Sequence, residues 1–185
     1  QVVRMQGIVD HQLSRVARVT QSDGAATQRW VPVGQVVSQL VRALSVAYRD
    51  HHIDVVESDE WALRIHRDDL LDMLGNVLEN ACKYGAGQVR ISMTTADIDN
   101  GHLHVVVEDD GPGIAEDLVP DVVSRGIRLD SQAPGHGIGL SLVSELLAIY
   151  GGDLLIASSE LGGAKVSLVF HQGRRLNPPV SLNAE

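Results

Sequence analysis

The chain has 185 residues, 44% hydrophobic and 21% charged, which suits one domain of ordinary size, alone or with an appendage, and excludes global disorder. No apolar run approaches the roughly 18 residues of a membrane helix, and a single cysteine, Cys82, excludes an internal disulfide framework and a cysteine zinc cluster. The formal charge is −9, and residues 84–164, with 12 acidic and 3 basic side chains, carry all of it, which disfavours a nucleic-acid footprint.

The chain opens at Gln1 with no signal peptide and reads as a piece of something longer. Val2, Met5, Val9, Leu13, Val16 and Val19 recur at helical spacing, a narrow apolar stripe like one arm of a coiled coil or bundle. Gln21-Ser22-Asp23-Gly24 stops it. Residues 30–33 read as a short strand and 35–48 as an amphipathic helix. Residues 53–57 and 61–65 read as a hairpin around Ser58-Asp59-Glu60. A long helix is predicted over 67–84, ending at Gly85. Strands follow at 89–93 and 103–108, joined near Asn100-Gly101. Residues 109–136 carry little periodicity, and a loop of that length inside a compact domain points to function. A helix then runs through Tyr150 to Gly151-Gly152, and strands at 154–158 and 164–170 flank Gly162-Gly163. The last residues, 172–185, with Pro178-Pro179, read as a mobile tail. Hairpins interleaved with helices predict an α/β (α+β) two-layer sandwich with helices on one face. Within it, 13 of the 18 glycines lie from Gly85 to Gly163, and no aromatic residue occurs between Tyr84 and Tyr150. That stretch needs bare backbone.

Three segments carry chemistry. In the long helix, Leu70, Leu71, Leu74, Val77, Leu78, Ala81 and Cys82 form an apolar face, and Asn76, Asn80 and Lys83 stack opposite it. This is either a solvated stripe or a site. Mid-helix asparagines are poor helix formers, but their carbonyl oxygens suit a hard cation, and Lys83 suits a phosphate. Next, an apolar strand delivers Glu108, Asp109 and Asp110 to its end, before Gly111-Pro112-Gly113. An acidic turn would look the same. Alternatively, one carboxylate accepts a hydrogen bond from a ligand amino group while the glycines admit a flat ring. Third, Gly135, Gly137 and Gly139, two apart at a helix start, leave consecutive amides open to an anion. No Lys-Ser or Lys-Thr follows, so this is no P-loop, and a Rossmann fingerprint fits poorly. Arg125 and Arg128 are the only basic residues of 109–136, which points them at phosphates, with Mg²⁺ bridging in so acidic a segment.

In this order, NVLENACKYG, VEDDGPGI, SRGIR, GHGIGLS and LGGAKV, the motifs resemble the N box, glycine boxes and lid of the catalytic ATP-binding domain of bacterial sensor histidine kinases. Their wording is nearest the PhoQ type of this GHKL superfamily. The resemblance covers about residues 30–170 and implies the Bergerat fold, with a mixed, mostly antiparallel sheet. It also implies a domain division. Residues 1–24 would be the end of the second dimerisation helix, 25–171 the ATP-binding domain, and 172–185 the tail.

Carried over by position, the resemblance implies that Asn76 holds Mg²⁺, while Asn80 and Lys83 serve the phosphates. Tyr84 would pack near the nucleotide. Asp109 would bind the adenine amino group in a pocket shaped by Gly111, Gly113 and Ile114. Arg128 and Arg125 would reach phosphates from the lid, and Gly135, Gly137, Ile138, Gly139 and Leu140 would cradle the triphosphate. His136 stands where the PhoQ type has a metal-side Gln, and it is the second metal candidate. Two other departures are Val123 for the usual lid Phe and Ala133 for an Arg found in some relatives.

Hydrolases of this fold resemble one another in a Glu four residues before the N-box Asn. Here that position is Asn76, which cannot act as a general base. Water attack is thereby disfavoured, and no residue of the chain is assigned as catalytic. The resemblance implies transfer of the γ-phosphate to a His on a dimerisation helix, in an H-E/D-x-x-x-P setting that none of the eight histidines has. It implies as partners the protein's own dimerisation domain, in a homodimer, and a response regulator. It also implies a cytoplasmic domain, without membrane insertion of its own, of a protein anchored in the inner membrane. A slow ATPase switch and a degenerate nucleotide-binding docking module are the alternatives.

Overall fold

The computed structural model describes residues 29–56, 60–97, 102–115 and 139–176. Among the described residues the elements run β1 (Trp30–Pro32), α1 (Val33–Ala47), β2 (His52–Val55), β3 (Trp61–Arg64), α2 (Arg67–Tyr84), β4 (Gln88–Asp97), β5 (His102–Asp109), α3 (Gly139–Ile149), β6 (Asp153–Ser158), β7 (Ala164–Phe170) and β8 (Gly173–Arg175). None of these helices is long and apolar enough to cross a membrane.

The main sheet has five strands in the order β2-β4-β5-β7-β6. Only the β2–β4 pairing is parallel; the others are antiparallel. Period-two alternation sends Val89, Ile91, Leu103, Val105, Val107, Val166, Leu168 and Phe170 into one core with the helices. Residues of the opposite parity form rows on the other face. One such row reads Asp54, Arg90, Glu108, Lys165 across four strands, alternating in sign.

Helix α2 buries Leu70, Met73, Leu74, Val77, Leu78, Ala81 and Cys82. Each of the Leu, Met and Val side chains taken out of water contributes about 1.5–3 kcal/mol. The apolar face is therefore centred on Met73 rather than Leu71, which is only partly buried. Asp68 and Asp69 in its first turn and Lys83 in its last complement the helix dipole. In α1, Val33, Val36, Val37, Leu40, Val41 and Leu44 follow the same helical spacing and pack on α2 and the sheets. Helix α3 ends in a Schellman arrangement. Gly152 N donates to Leu147 O (2.8 Å) and Gly151 N to Ala148 O (3.1 Å), with Gly151 at φ +67°.

Two expectations are corrected. Residues 53–57 and 61–65 do not pair with each other. β2 joins β4, whereas β3 lies between β1 and β8 in a separate three-stranded antiparallel sheet. The reason is burial: Trp61, Ala62 and Leu63 are all buried, so β3 needs neighbours on both edges and both faces, which exposed β2 cannot supply. The tail also starts later than expected, because Gly173–Arg175 are ladder partners of Leu63, Ala62 and Trp61. The first-helix segment 1–24, the residues Val123, Arg125, Arg128, Ala133, Gly135, His136, Gly137 and Ile138, and the tail from 177 on lie outside the described residues.

Candidate functional site

The end of β5 is the centre of the site. Val105 and Val107 point into the core, so by alternation Asp109 faces the helix layer while Glu108 faces the other way. Asp109 is only 7% exposed. Its Oδ1 accepts hydrogen bonds from the backbone N–H of Gly111 (2.9 Å) and of Ala164 (3.1 Å). Its own carbonyl accepts from Gly163 N (3.0 Å). One carboxylate oxygen is thus occupied by the fold, leaving Oδ2 as the acceptor with no partner among the described residues. A buried carboxylate arranged in this way is an acceptor of fixed direction for a ligand N–H.

The glycines around it are there for proximity. A Cβ on Gly111 would strike the Tyr84 carbonyl, and one on Gly163 would strike Asp109 Oδ1 and Gly111 N. Gly113, at φ +74°, lies against the Gly163 backbone, where a Cβ would be 3.3 Å from its carbonyl oxygen. Two backbone segments therefore meet without side chains between them and form a floor of bare backbone beside Asp109. Ile114, next to Gly113 in the chain, is partly buried against the core.

The neighbouring Asp110 braces the floor. Its Oδ1 accepts from Ala86 N (2.8 Å) and Gly87 N (3.0 Å), tying the chain after α2 to the end of β5. Desolvation pushes its pKa up, but backbone N–H groups from Gln88, Ala86, Gly87 and Asp110 itself outweigh this and hold it below the usual aspartate range. Gly85, which ends α2, is not left-handed (φ −64°). It is needed because a Cβ would run into the Ala81 carbonyl and crowd Asp110 Oδ1.

The second part of the site is on α2. Asn76 donates from Nδ2 to Asp72 O (2.7 Å), which fixes the amide and leaves Oδ1 turned outward as an acceptor. At Gly139, the first described residue of α3, a Cβ would come within 3.1 Å of Asn76 Oδ1 and 3.4 Å of Asn80 Nδ2. The start of α3 therefore lies directly over both asparagines, and Leu140 turns into the core behind it. A carbonyl oxygen beside a helix N-terminus can bind a hard cation and its anionic partner together. Lys83 donates to the Tyr84 hydroxyl (3.1 Å) and sits 4.7 Å from its ring centroid; Tyr84 is 47% exposed. Among the described residues no cluster of three His, Cys, Asp or Glu side chains is arranged to hold a metal.

The structure thus brings Asp109, Gly111, Gly113 and Ile114 together at one end of the sheet, and joins Asn76 and Asn80 to Gly139 at the α2–α3 contact. Gly163, the Ala164 amide and Asp110 take part in the site without an individual signal in the sequence. The motif LGGAKV was visible, but nothing local indicates that its amides close on a carboxylate 55 residues earlier. Tyr150 also went unassigned: its hydroxyl donates to buried Asp69 (2.6 Å) and accepts from His66 N (3.3 Å), pinning the end of α3 to the start of α2.

Residues 65–174 match the family described as histidine kinase-, DNA gyrase B- and HSP90-like ATPase. The chain is 38% identical over 141 residues to the virulence sensor histidine kinase PhoQ of Salmonella typhimurium, covering 75% of this chain and 28% of that protein. It is 35% identical over 166 residues to the two-component sensor PhoQ of Pseudomonas aeruginosa, covering 89% of this chain and 36% of the relative. It thus spans roughly a third of the length of these relatives. In fold it is similar to the mycobacterial sensor histidine kinase MprB, with a TM-score of 0.72 at 24% identity over 81% of this chain and 100% of that one. The mixed, mostly antiparallel sheet with helices on one face agrees with these similarities. The chain belongs to the histidine kinase-, DNA gyrase B- and HSP90-like ATPase family, as an ATP-binding domain of the sensor histidine kinase type.

Proposed function

We propose that the chain binds ATP with Mg²⁺ and, in the intact protein, transfers the γ-phosphate to a histidine on a dimerisation helix. The observation that carries this is the asymmetry of Asp109. Its Oδ1 is held by two backbone amides above a side-chain-free floor, which leaves Oδ2 to accept the adenine amino group. Gly111, Gly113 and Ile114 shape the ring pocket, and Tyr84 borders it. Asn76 Oδ1 is a hard oxygen donor fitted to Mg²⁺, and Asn80, Lys83 and the first amides of α3, at Gly139 and Leu140, serve the phosphates. Arg125, Arg128, Gly135, His136, Gly137 and Ile138 contribute the remaining contacts from the segment before α3. Mg²⁺ when bound supplies charge neutralisation, and the chain's own residues supply position.

Asn76 has no basic carboxylate to offer a water, so the phosphoryl group is kept for an external acceptor. Residues 1–24 are the end of a dimerisation helix in a homodimer, a response regulator is the downstream partner, and the domain is cytoplasmic in a protein anchored at the inner membrane. The test mixes the chain with a separately made dimerisation domain bearing the acceptor His and γ-labelled ATP. Acid-labile label on the second protein is the expected result. Phosphate release without transfer would instead indicate an ATPase switch, and ATP binding with neither would indicate a docking module. Label on this chain itself as phosphohistidine would contradict the acceptor assignment.

A further inference from the structure

We propose that the turn between β6 and β7, which meets the site only through the backbone of Gly163 and Ala164, sets the base preference of the site by aiming the Asp109 carboxylate, with Gly163 as a positioning residue and Ser159 as its anchor. This rests on the reading of Asp109 as the adenine acceptor. The turn is closed by a set of hydrogen bonds of its own. Ser159 N donates to Gly163 O (2.9 Å), Gly162 N to Ser159 O (3.1 Å) and Leu161 N to Ser159 Oγ (3.0 Å). Ser159 Oγ in turn donates to Glu108 Oε1 (3.4 Å), the residue beside Asp109 on the opposite face. The turn is thereby fastened to β5 from behind.

From the front, the same turn reaches Asp109. Gly163 N donates to the Asp109 carbonyl, and the next amide, of Ala164, donates to Oδ1. A carboxylate whose Oδ1 is fixed by Gly111 and Ala164 has only one direction left for Oδ2. That direction moves if the turn moves. Gly163 tolerates no side chain, because its Cβ would overlap Asp109 Oδ1 and the Gly111 nitrogen and lie 2.5 Å from the Asp109 carbonyl oxygen. The last two of these are backbone, which cannot rotate away. Gly163→Ala must therefore displace the start of β7 from the end of β5, and with it the Ala164 amide that holds Oδ1. Ser159→Ala removes the acceptor for Leu161 N and the link to Glu108 without adding any atom.

The measurement is the ratio of ATP to inosine triphosphate affinity, by calorimetry on the full chain. Inosine carries a carbonyl where adenine has its amino group, so a correctly aimed carboxylate accepts from one and repels the other. Wild type is expected to prefer ATP. Gly163→Ala should lower the ratio about tenfold, through the charge-assisted bond it misaims, and Ser159→Ala by a smaller, few-fold step. Circular dichroism checks the fold. Where Gly163→Ala does not fold, the ratio of Ser159→Ala alone decides. Folded variants in which both affinities fall equally, with the ratio unchanged, overturn the proposal, because a purely structural turn would do that. Asp109→Asn in the same titration separates the two levels. If it leaves the ratio unchanged, the reading of Asp109 itself fails; if it lowers the ratio while the turn variants do not, only this inference fails.

Discussion

Two substitutions at Asp109 separate ligand recognition from scaffolding. Asp109→Asn keeps an oxygen for the Gly111 and Ala164 amides, now 2.9 and 3.1 Å from Oδ1. Two charge-assisted bonds become neutral ones, which costs about 1 kcal/mol each. Asp109→Ala removes the acceptor altogether and leaves two amide donors without a partner at a largely buried position, at about 1–3 kcal/mol each. For a domain of this size, about 1 kcal/mol corresponds to about 2–4 °C in Tm. With the middle of these ranges, the Ala variant should melt several degrees below the Asn variant. Nucleotide binding ranks them differently. Asn turns its NH₂ toward the ligand amino group, so a charge-assisted bond of about 1.5–3 kcal/mol is lost and replaced by two opposed donors. At about 1.4 kcal/mol per factor of ten, ATP affinity should fall about 10- to 100-fold. Calorimetric titration with ATP and thermal denaturation of the same samples give both numbers. ATP binding by the Asn variant within twofold of wild type would refute the acceptor role. Equal Tm losses in the two variants would refute the claim that Oδ1 is committed to the fold.

Three further outcomes follow from the described contacts. Asp110 has a lowered pKa, so its stabilisation is present above the usual carboxylate range and is lost as the pH falls through its depressed value. The stability advantage of wild type over Asp110→Ala, measured by urea denaturation from neutral to strongly acid pH, should shrink on acidification, and a constant difference would contradict the brace. Tyr150→Phe deletes the donor to Asp69 and should cost about 1–2 kcal/mol, read as a lower denaturation midpoint with unchanged slope. Cys82 is buried, and burial, helped by the Glu79 carboxylate, pushes its thiol up to about 11. It should stay unlabelled by a thiol reagent at pH 8 until the chain is denatured, and rapid labelling of the native protein would show the α2 core to be open.

The helices were legible because their signals are local. The spacing of Leu70, Leu74, Val77, Leu78 and Ala81 fixes the buried face of α2, and Gly85 and Gly151 mark helix ends whatever else the chain does. The partners of strands were not. Ser58-Asp59-Glu60 is a good turn signal, yet β2 and β3 enter different sheets, because the burial demand of Trp61–Leu63 is met by β1 and β8, more than a hundred residues apart along the chain. At the site, side chains with their own chemistry, Asp109 and the α2 asparagines, stood out in the sequence. What orients them did not, since the Ala164 and Gly163 amides carry no side-chain signature, and glycine reports only that something comes close. Motif position singles out Asp109 among the three acids, but only the structure separates Asp110, which braces the chain after α2, from Glu108 on the far face.

The β4–β5 ladder has an irregularity between Thr95 and Asp97, where two steps on β4 answer one on β5: Thr95 opposes Leu103 and Asp97 opposes His102. It lies at the end of the ladder away from the site, while Val89 opposes Asp109 in regular pairing. A slip of one residue in β5 would exchange Glu108 and Asp109 between the two faces, emptying the pocket of its acceptor and breaking the alternating charge row at once. The register irregularity is confined to the Thr95–Asp97 end, so the ladder from Thr95 to Val89 holds Glu108 and Asp109 on their opposite faces without a break in phase.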